Sequence, residues 1–391
     1  MKKIYFLAAI SCSLLAFSCQ KIDFSYIYYS PEEQAILSQD LNLPATPVDY
    51  NVVLPTYLLF TGVGGFAQPV EFAKVELGRV LFYDKSISKD GKIACANCHK
   101  QELAFGDNTS VSKGVFDRSG ERNSIALSSV PSFSGAYENT GNSLFWDNRV
   151  KTVQEQSRAS LANVKEMDMT MTEVVDAVNN QPYYSVLFKK AYGEQAATEE
   201  RVTEAIQSFV HALSSFQSKF DVAAQEAFLL GQPNNFNFIL QDFASFSAQE
   251  NKGLALYQSN CASCHTSTLT APHLQSASNG LDENPNDPGV GGITNYFPDL
   301  GTFKVPALRN VALTAPYMHD GRFQTLEQVI EHYSTGIKPH INLHADLKVG
   351  GGNLPKKFNF STEEKQALIA FLRTLSDEKM MADVRYSNPF K

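Results

Sequence analysis

The sequence predicts a mainly α-helical protein of two similar domains, and three observations support this fold class. Apolar residues recur at helical spacing in several segments, strand-forming patterns are scarce, and one cysteine–histidine motif occurs twice, at residues 95–99 and 261–265. The chain has 391 residues, of which 43% are hydrophobic. It is therefore long enough to form two hydrophobic cores.

Composition excludes two broad classes of function. The net charge is −8, and lysine and arginine form no cluster, so we expect no nucleic-acid partner. Outside the N-terminus no apolar run approaches the roughly 18 residues that a transmembrane helix needs. The chain is therefore not a polytopic membrane protein.

The N-terminus carries a targeting signal. Lys2 and Lys3 precede a mostly apolar stretch over residues 4–17, which predicts a signal peptide at 1–18. Residues 16–19, Ala-Phe-Ser-Cys, resemble a bacterial lipoprotein cleavage site, with Ala where Leu is common. Cys19 would then be acylated and hold the protein on the periplasmic side of a membrane by a lipid anchor. The alternative is ordinary cleavage that leaves Cys19 free.

The first half of the chain follows this signal. Residues 20–67 predict a leader that is part tether and part chain packed over the first domain, which we place at 68–225. Apolar positions predict a helix from Phe72 to Phe82 that leads to the first motif. A Gly/Ser/Asn-rich stretch over 106–142 predicts few regular elements. Two helices follow, one over 172–192 and one capped near Thr198.

A looser passage over residues 223–246 predicts the domain boundary, and the second domain is placed at 240–380. It opens with a capping box at Ser247 and Glu250, which predicts a helix into Cys261. A long loop covers residues 276–302. Capping boxes at Thr325 and Ser361 then predict two amphipathic helices.

The repeated motif indicates the chemistry. Cys95, Cys98 and His99 form one C-x-x-C-H sequence, and Cys261, Cys264 and His265 form the other. This is the attachment signature of c-type haem, in which both thiols bond the haem and the histidine becomes an iron ligand. A disulfide or a zinc site would not need the histidine. Each half is therefore predicted to be a cytochrome c-like domain with one covalently bound haem c.

Distal ligands decide whether such an iron only transfers electrons or also binds a small oxidant. Before residue 260 the only histidines are His99 and His211, and no methionine occurs between Met1 and Met167. His211 lies on the helix capped near Thr198, next to its stripe of apolar residues, and this position favours packing over iron ligation. The first haem is therefore predicted to have an open face.

The chain resembles the bacterial di-haem cytochrome c peroxidases, a family that includes MauG-like enzymes. The resemblance covers about residues 72–378. It rests on both haem motifs and on these segments: 77–84 (LGRVLFYD), Arg122-Asn123, 145–149 (FWDNR), Glu166-Met167, 305–310 (VPALRN) and 312–321 (ALTAPYMHDG). The resemblance implies peroxide chemistry at the first haem and electron relay at the second.

The resemblance implies roles for individual residues. Glu166 matches the distal carboxylate that moves a proton between the two peroxide oxygens, and Trp146, the only tryptophan, matches the aromatic side chain between the haems. Asn123, Thr314 and Pro316 match an inter-domain calcium site, which oxygen ligands suit. From the residues alone, Glu166 could be a solvated charge and Trp146 a core anchor.

Two departures from the family pattern matter. The loop after the first motif has no histidine near Lys113–Val115, where relatives carry one that caps the resting iron. At the second haem, the position of the usual distal methionine is occupied by Tyr333, as in MauG. Met318 is the main competitor for that iron, and His319 and His332 stay open as alternatives. A thioether would raise the haem potential, whereas a phenolate would lower it.

Three functions follow from these patterns. The first is reduction of hydrogen peroxide with electrons from a small cytochrome c or cupredoxin, whose basic patch would suit this acidic protein. The second is a MauG-like oxidase that uses peroxide to oxidise a protein or organic substrate. The third is a plain electron-transfer cytochrome with two saturated irons. A homodimer is also considered.

Overall fold

The computed structural model describes residues 27–44, 48–59, 70–129, 143–231, 239, 241–266, 274–350, 352 and 354–391. The predicted signal peptide and Cys19 lie outside the described residues. Within these ranges no helix has the length and apolarity needed to cross a bilayer. The described fold is mainly α-helical, and its one named sheet has two short antiparallel strands, β1 (Ser276–Ala277) and β2 (Phe303–Lys304).

The described α-helices, in chain order, are α1 Pro31–Asp40, α2 Thr56–Leu59, α3 Phe72–Tyr83, α4 Cys95–Cys98, α5 Val153–Ala162, α6 Met171–Asn179, α7 Pro182–Tyr192, α8 Glu199–Ala212, α9 Lys219–Leu230, α10 Ala248–Asn260, α11 Ala262–His265, α12 Gly291–Thr294, α13 Leu326–Glu331, α14 Thr362–Arg373 and α15 Glu378–Met381. A π-helical turn, His332–Gly336, follows α13 directly. The capping boxes predicted at Ser247, Thr325 and Ser361 all form.

Each haem motif lies in a half of the molecule with its own core. In the first core α3 crosses α8 closely at Gly78, where a Cβ atom would lie 1.9 Å from the carbonyl oxygen of Ala205. In the second core α10 crosses α14 in the same way at Gly253, where a Cβ would lie 2.0 Å from the oxygen of Ala367. Glycine permits this backbone contact in both halves.

Several expected elements differ from the structure. The helix predicted over 172–192 is two helices, because Pro182 lacks the amide hydrogen that a continuous helix needs and instead begins α7. The passage over 223–246 is not loose throughout, since α9 runs to Leu230. The buried α9 residues Phe220 and Phe228 belong to the second core. Helix α5, with its capping box at Thr152, was not predicted.

Both ends of the described chain tie the halves together. The predicted leader contains α1, whose Leu37 packs into the first core, but Tyr57 and Leu58 of α2 pack into the second core. The prediction that the leader packs over the first domain was therefore incomplete. At the other end Tyr386 returns from the second half to the first core.

Candidate haem centres

The first haem motif lines a cavity of about 540 Å³, called here the first cavity. Cys95 is the first residue of the short helix α4 and Cys98 the last, and His99 follows the helix directly. The Nδ1–H group of His99 donates to the carbonyl oxygen of Phe105 at 2.9 Å, so its Nε2 atom keeps a free lone pair. Burial lowers the pKa of His99, which favours the neutral, metal-binding imidazole.

The second haem motif lines a separate cavity of about 250 Å³, the second cavity. Its histidine is fixed in the same manner, because Nδ1–H of His265 donates to the carbonyl oxygen of Pro306 at 3.0 Å. Burial lowers the pKa of His265 to about 4. Both histidines thus have the tautomer and the orientation that iron ligation requires.

The cysteines fit covalent haem attachment. All four are free thiols in the described structure, not disulfides. Burial raises the pKa of Cys95 and of Cys261 to about 12. Two thiols and one oriented imidazole per cavity are the groups that haem c needs. The donor set therefore fits two haems.

Glu166 lines the first cavity together with the haem motif. Its Oε1 atom accepts from Nδ2 of Asn163 at 2.7 Å, and Ser160 also bonds the carboxylate. Burial outweighs these contacts and the nearby Arg149, so the pKa of Glu166 is raised. A raised pKa brings a carboxyl group closer to the range in which it both accepts and donates protons.

The loop over Lys113–Val115 packs directly behind Glu166. The amide of Val115 donates to the carbonyl oxygen of Glu166 at 2.9 Å. A Cβ atom on Gly114 would lie 2.2 Å from the oxygen of Lys165 and 2.5 Å from that of Glu166. Among the described residues that line the first cavity, His99 is the only histidine and Met167 the only methionine.

Trp146 lines both cavities and lies in the wall that they share. Its Nε1–H donates to the carbonyl oxygen of Asn123 at 2.8 Å, and its own carbonyl accepts from the amide of Lys304 at 2.7 Å. The first bond fixes the indole ring, and the second fixes the backbone that carries it. The half-buried Lys304 also lines both cavities, and burial of its ammonium group lowers its pKa to about 8. The sequence prediction missed this residue, although it directly precedes the 305–310 segment.

An ion-pair network supports the shared wall. Arg122 makes two bonds of 2.8 Å to Asp287 and one of 2.5 Å to Asp147, and Arg149 also binds Asp147. Asp287 lies in the long loop of the second half, so Arg122 joins the two halves beside Trp146. Three of these residues lie in the segments on which the family resemblance rests: Arg122, Asp147 and Arg149. The sequence could therefore have marked them as site residues.

The second cavity is lined by Tyr333, Met318 and His319. Burial raises the pKa of Tyr333 to about 12. His332 points its Nε2 at the carbonyl oxygen of Asn279, 3.1 Å away, while His319 stacks on Phe303 with ring centroids 3.7 Å apart. His332 is not among the described residues that line this cavity, and His319 is held by its stacking contact. Tyr333 and Met318 therefore stay the main ligand candidates.

The remaining predicted site residues are also placed. Asn123, Thr314 and Pro316 line the second cavity together. Two hydrogen bonds hold Asn123. Its backbone amide donates to the carbonyl oxygen of His319 at 2.7 Å, and its side-chain Nδ2 donates to the carbonyl oxygen of Thr109 at 3.1 Å. His211 is in neither lining, and burial lowers its pKa to about 4.

Two haem-attachment cavities in one mainly α-helical chain define a di-haem c-type cytochrome. Comparison with known proteins makes this more specific. The family model for di-haem cytochrome c peroxidase matches residues 72–227, and that for cytochrome c matches residues 250–376. The chain belongs to the di-haem cytochrome c peroxidase family, and its two domains imply two covalently bound haems.

Individual relatives agree with this assignment. The methylamine utilization protein MauG of Methylorubrum extorquens is 30% identical over 322 residues, which cover 80% of each protein. Cytochrome c551 peroxidase of Nitrosomonas europaea is 32% identical over 308 residues, 78% of this chain and 80% of that protein. The crystal structure of a MauG-like protein associated with microbial copper homeostasis superposes with a TM-score of 0.64 at 29% identity, covering 82% of this chain and 94% of that one.

Proposed function

We propose that this protein is a peroxidase that reduces hydrogen peroxide to water with two electrons from a small redox protein. The observation that carries the proposal is that Glu166, with its raised pKa, lines the same cavity as the first haem motif. The second haem motif lies across a wall that contains Trp146. This arrangement supports peroxide chemistry in one half and electron supply from the other.

In this proposal Glu166 is the acid–base group that transfers the proton. The haem, when bound, supplies the redox chemistry that cleaves the O–O bond. The carboxylate of Glu166 accepts a proton from one peroxide oxygen and delivers it to the other, which leaves as water. Asn163 and Ser160 hold the carboxylate in place while it does so. Two electrons and two protons per peroxide then yield two water molecules.

We place the electron path through the shared wall. Trp146 is the aromatic side chain of the described chain that lines both cavities, and the hydrogen bond from its Nε1–H holds the indole there. The donor that we propose is a small cytochrome c or cupredoxin. This chain carries a net charge of −8, so a basic patch on the donor would favour encounter.

For the second haem we propose Tyr333 as the distal ligand, with Met318 as the competitor. Tyr333 is buried in the lining of the second cavity. A phenolate ligand at that position would favour a MauG-like oxidase, in which peroxide oxidises a protein or organic substrate. The single histidine in the described lining of the first cavity supports an iron that is open at rest in either function.

Electron paramagnetic resonance and turnover of the haem-loaded protein test this proposal together. We expect one high-spin and one low-spin ferric centre at rest, and we expect Tyr333→Phe to change only the low-spin signal. Met318→Leu is the matched control and should leave both signals unchanged. Peroxide turnover with a reduced small cytochrome c supports the peroxidase.

The same measurements separate the alternatives. Peroxide consumption that needs an oxidisable protein or organic compound, and fails with every reduced donor, would favour the oxidase. Two low-spin centres that do not respond to peroxide would overturn both enzymatic functions and leave an electron-transfer cytochrome.

Substitution of Gly114 tests the position of Glu166. A Cβ atom at residue 114 would overlap the backbone oxygens of residues 165 and 166, so Gly114→Ala must move the turn that carries Glu166. We expect lower turnover and a loss of about 1–3 kcal/mol in stability. Gly120→Ala is the control in the same loop, because its Cβ would lie 3.4 Å from the oxygen of Ser112, an ordinary contact. Equal effects of the two variants would contradict the prediction.

We also propose a calcium ion, held by the side chain of Asn123 and the backbone carbonyls of Thr314 and Pro316. Asn123 is nearly buried, and its Nδ2 is engaged with Thr109, which turns the side-chain oxygen away from that carbonyl. An oxygen donor set suits calcium. The ion would brace the junction between the two halves.

The cellular location that we propose is the periplasmic side of the envelope, with a lipid anchor on Cys19. This rests on the N-terminal sequence and on the haem motifs, since c-type haem attachment requires export. A homodimer is part of the proposal on the family resemblance alone.

A further inference from the structure

Asn279 contacts both ligand candidates of the second cavity. It lies two residues after β1, and its Nδ2 donates to the Sδ atom of Met318 at 3.5 Å. Its side chain is also close enough to the hydroxyl of Tyr333 to lower the pKa of that phenol against the larger effect of burial. One carboxamide thus lies between the thioether and the phenol that compete for the second iron.

The orientation of this carboxamide is fixed by its other bond. The Oδ1 atom of Asn279 accepts from the amide of Leu281 at 3.2 Å, so the NH₂ group must face the cavity. An amide NH₂ carries two hydrogens and no acceptor. It therefore has one hydrogen for the sulfur of Met318 and one for the oxygen of Tyr333.

The backbone around Asn279 is locked to the turn that carries Tyr333. The carbonyl oxygen of Asn279 is 3.1 Å from Nε2 of His332, and that of Gly280 accepts from the amide of Lys338 at 2.8 Å. Gly280 has φ of +68°, and a Cβ there would lie 2.7 Å from both Ile337 and Lys338. Asn279 is therefore held in register with the π-helical turn.

We propose that Asn279 is the positioning residue that selects Tyr333 over Met318 as the distal ligand of the second haem. An N–H donor stabilises a phenolate oxygen strongly, since hydrogen bonds to charged groups are the stronger ones. The same donor to a neutral thioether is weak, so the carboxamide stabilises a phenolate ligand more than a thioether ligand. The inference rests on the proposed function, in which Tyr333 is the ligand.

The test removes the donors and keeps the fold. Asn279→Asp retains an oxygen for the amide of Leu281 but has no N–H, and Asn279→Leu removes the donors without adding charge. In the haem-loaded protein we expect both variants to raise the reduction potential of the low-spin haem and to change its resonance signal to that of a His/Met centre. Asn342→Leu is the control, because the Nδ2 of Asn342 also has two acceptors, the backbone oxygens of Phe297 and Leu300, but the residue lines neither cavity.

A double variant decides the cause. If Met318 replaces Tyr333 in the Asn279 variants, then adding Met318→Leu must abolish the His/Met signal. A shift that persists without Met318 overturns the inference, as does an unchanged Tyr-ligated haem in both Asn279 variants. A wild-type haem that is already Met-ligated overturns it as well. Failure of the proposed function would be seen separately, as absence of peroxide turnover in the wild type.

Discussion

A Glu166→Gln variant is expected to lose peroxide turnover by about 10²- to 10⁴-fold, the range that a positioned general acid–base group contributes. Glutamine preserves the shape of the side chain and its contacts with Asn163 and Ser160, but it cannot take up a proton. The loss should therefore fall on turnover, while haem content and the resting ferric spectrum stay as in the wild type. Steady-state kinetics with a reduced donor cytochrome measures it.

The pH profile gives this prediction a second signature. Glu166 acts first as a base, so it must be ionised, and turnover falls as the pH drops through its pKa. Because burial raises that pKa above the ordinary 4.5 of glutamate, the acid limb should lie at a higher pH than an exposed glutamate would give. In Glu166→Gln this limb should disappear.

Glu121 provides the matched control for Glu166. It also borders the first cavity, but it is exposed and pairs with Lys165 at 2.7 Å, which lowers the pKa of Glu121. Glu121→Gln should leave turnover within about two-fold of wild type, since an exposed ion pair contributes little. If both variants lost activity equally, a loss of cavity charge would explain the effect better than proton transfer.

The sequence predicted most where the information is local. Each C-x-x-C-H motif contains, within five residues, the two cysteines and the histidine predicted to hold a haem. The capping boxes at Ser247, Thr325 and Ser361 predict where three helices begin. The confirmed fold class followed from these signals and from the apolar stripes. Pro182 was an equally local signal, and the predicted long helix over 172–192 ignored it.

What the sequence could not predict depends on distant contacts. Asn279 bonds residues 39 and 53 positions away, and nothing in its neighbours marks it. Lys304 is an ordinary lysine until burial in the shared wall lowers its pKa. Glu166 and Trp146 were found only through the family resemblance, because a single carboxylate or indole carries no pattern of its own.

The second large effect is on stability, at the buried ion pair between Arg309 and Asp221. Nη1 of Arg309 donates to both carboxylate oxygens of Asp221 at 2.9 Å, and the two side chains are 5% and 1% exposed. The hydroxyl of Tyr57 donates to Asp221 at 2.8 Å. This cluster joins the leader, α9 and the 305–310 motif around one point of the second core.

Asp221→Ala is expected to lower the free energy of unfolding by about 3–5 kcal/mol, because it leaves the guanidinium of Arg309 buried without its counter-ion. Denaturant unfolding of the haem-loaded protein measures this change. Lys252→Ala, which removes an exposed pair with Glu363, is the control and should cost about 0–1 kcal/mol.

The pair should be far less costly to replace than to break. An Asp221→Leu, Arg309→Met double variant removes both charges together and is expected to recover a large part of the loss, since apolar replacements of buried ion pairs are often close to neutral. If the double variant were as unstable as Asp221→Ala, the loss would have to come from the other bonds of Asp221. These include its bonds to the amide and hydroxyl of Ser218, which cap α9. Comparing the two variants therefore separates the cost of an unpaired buried charge from that of an uncapped helix.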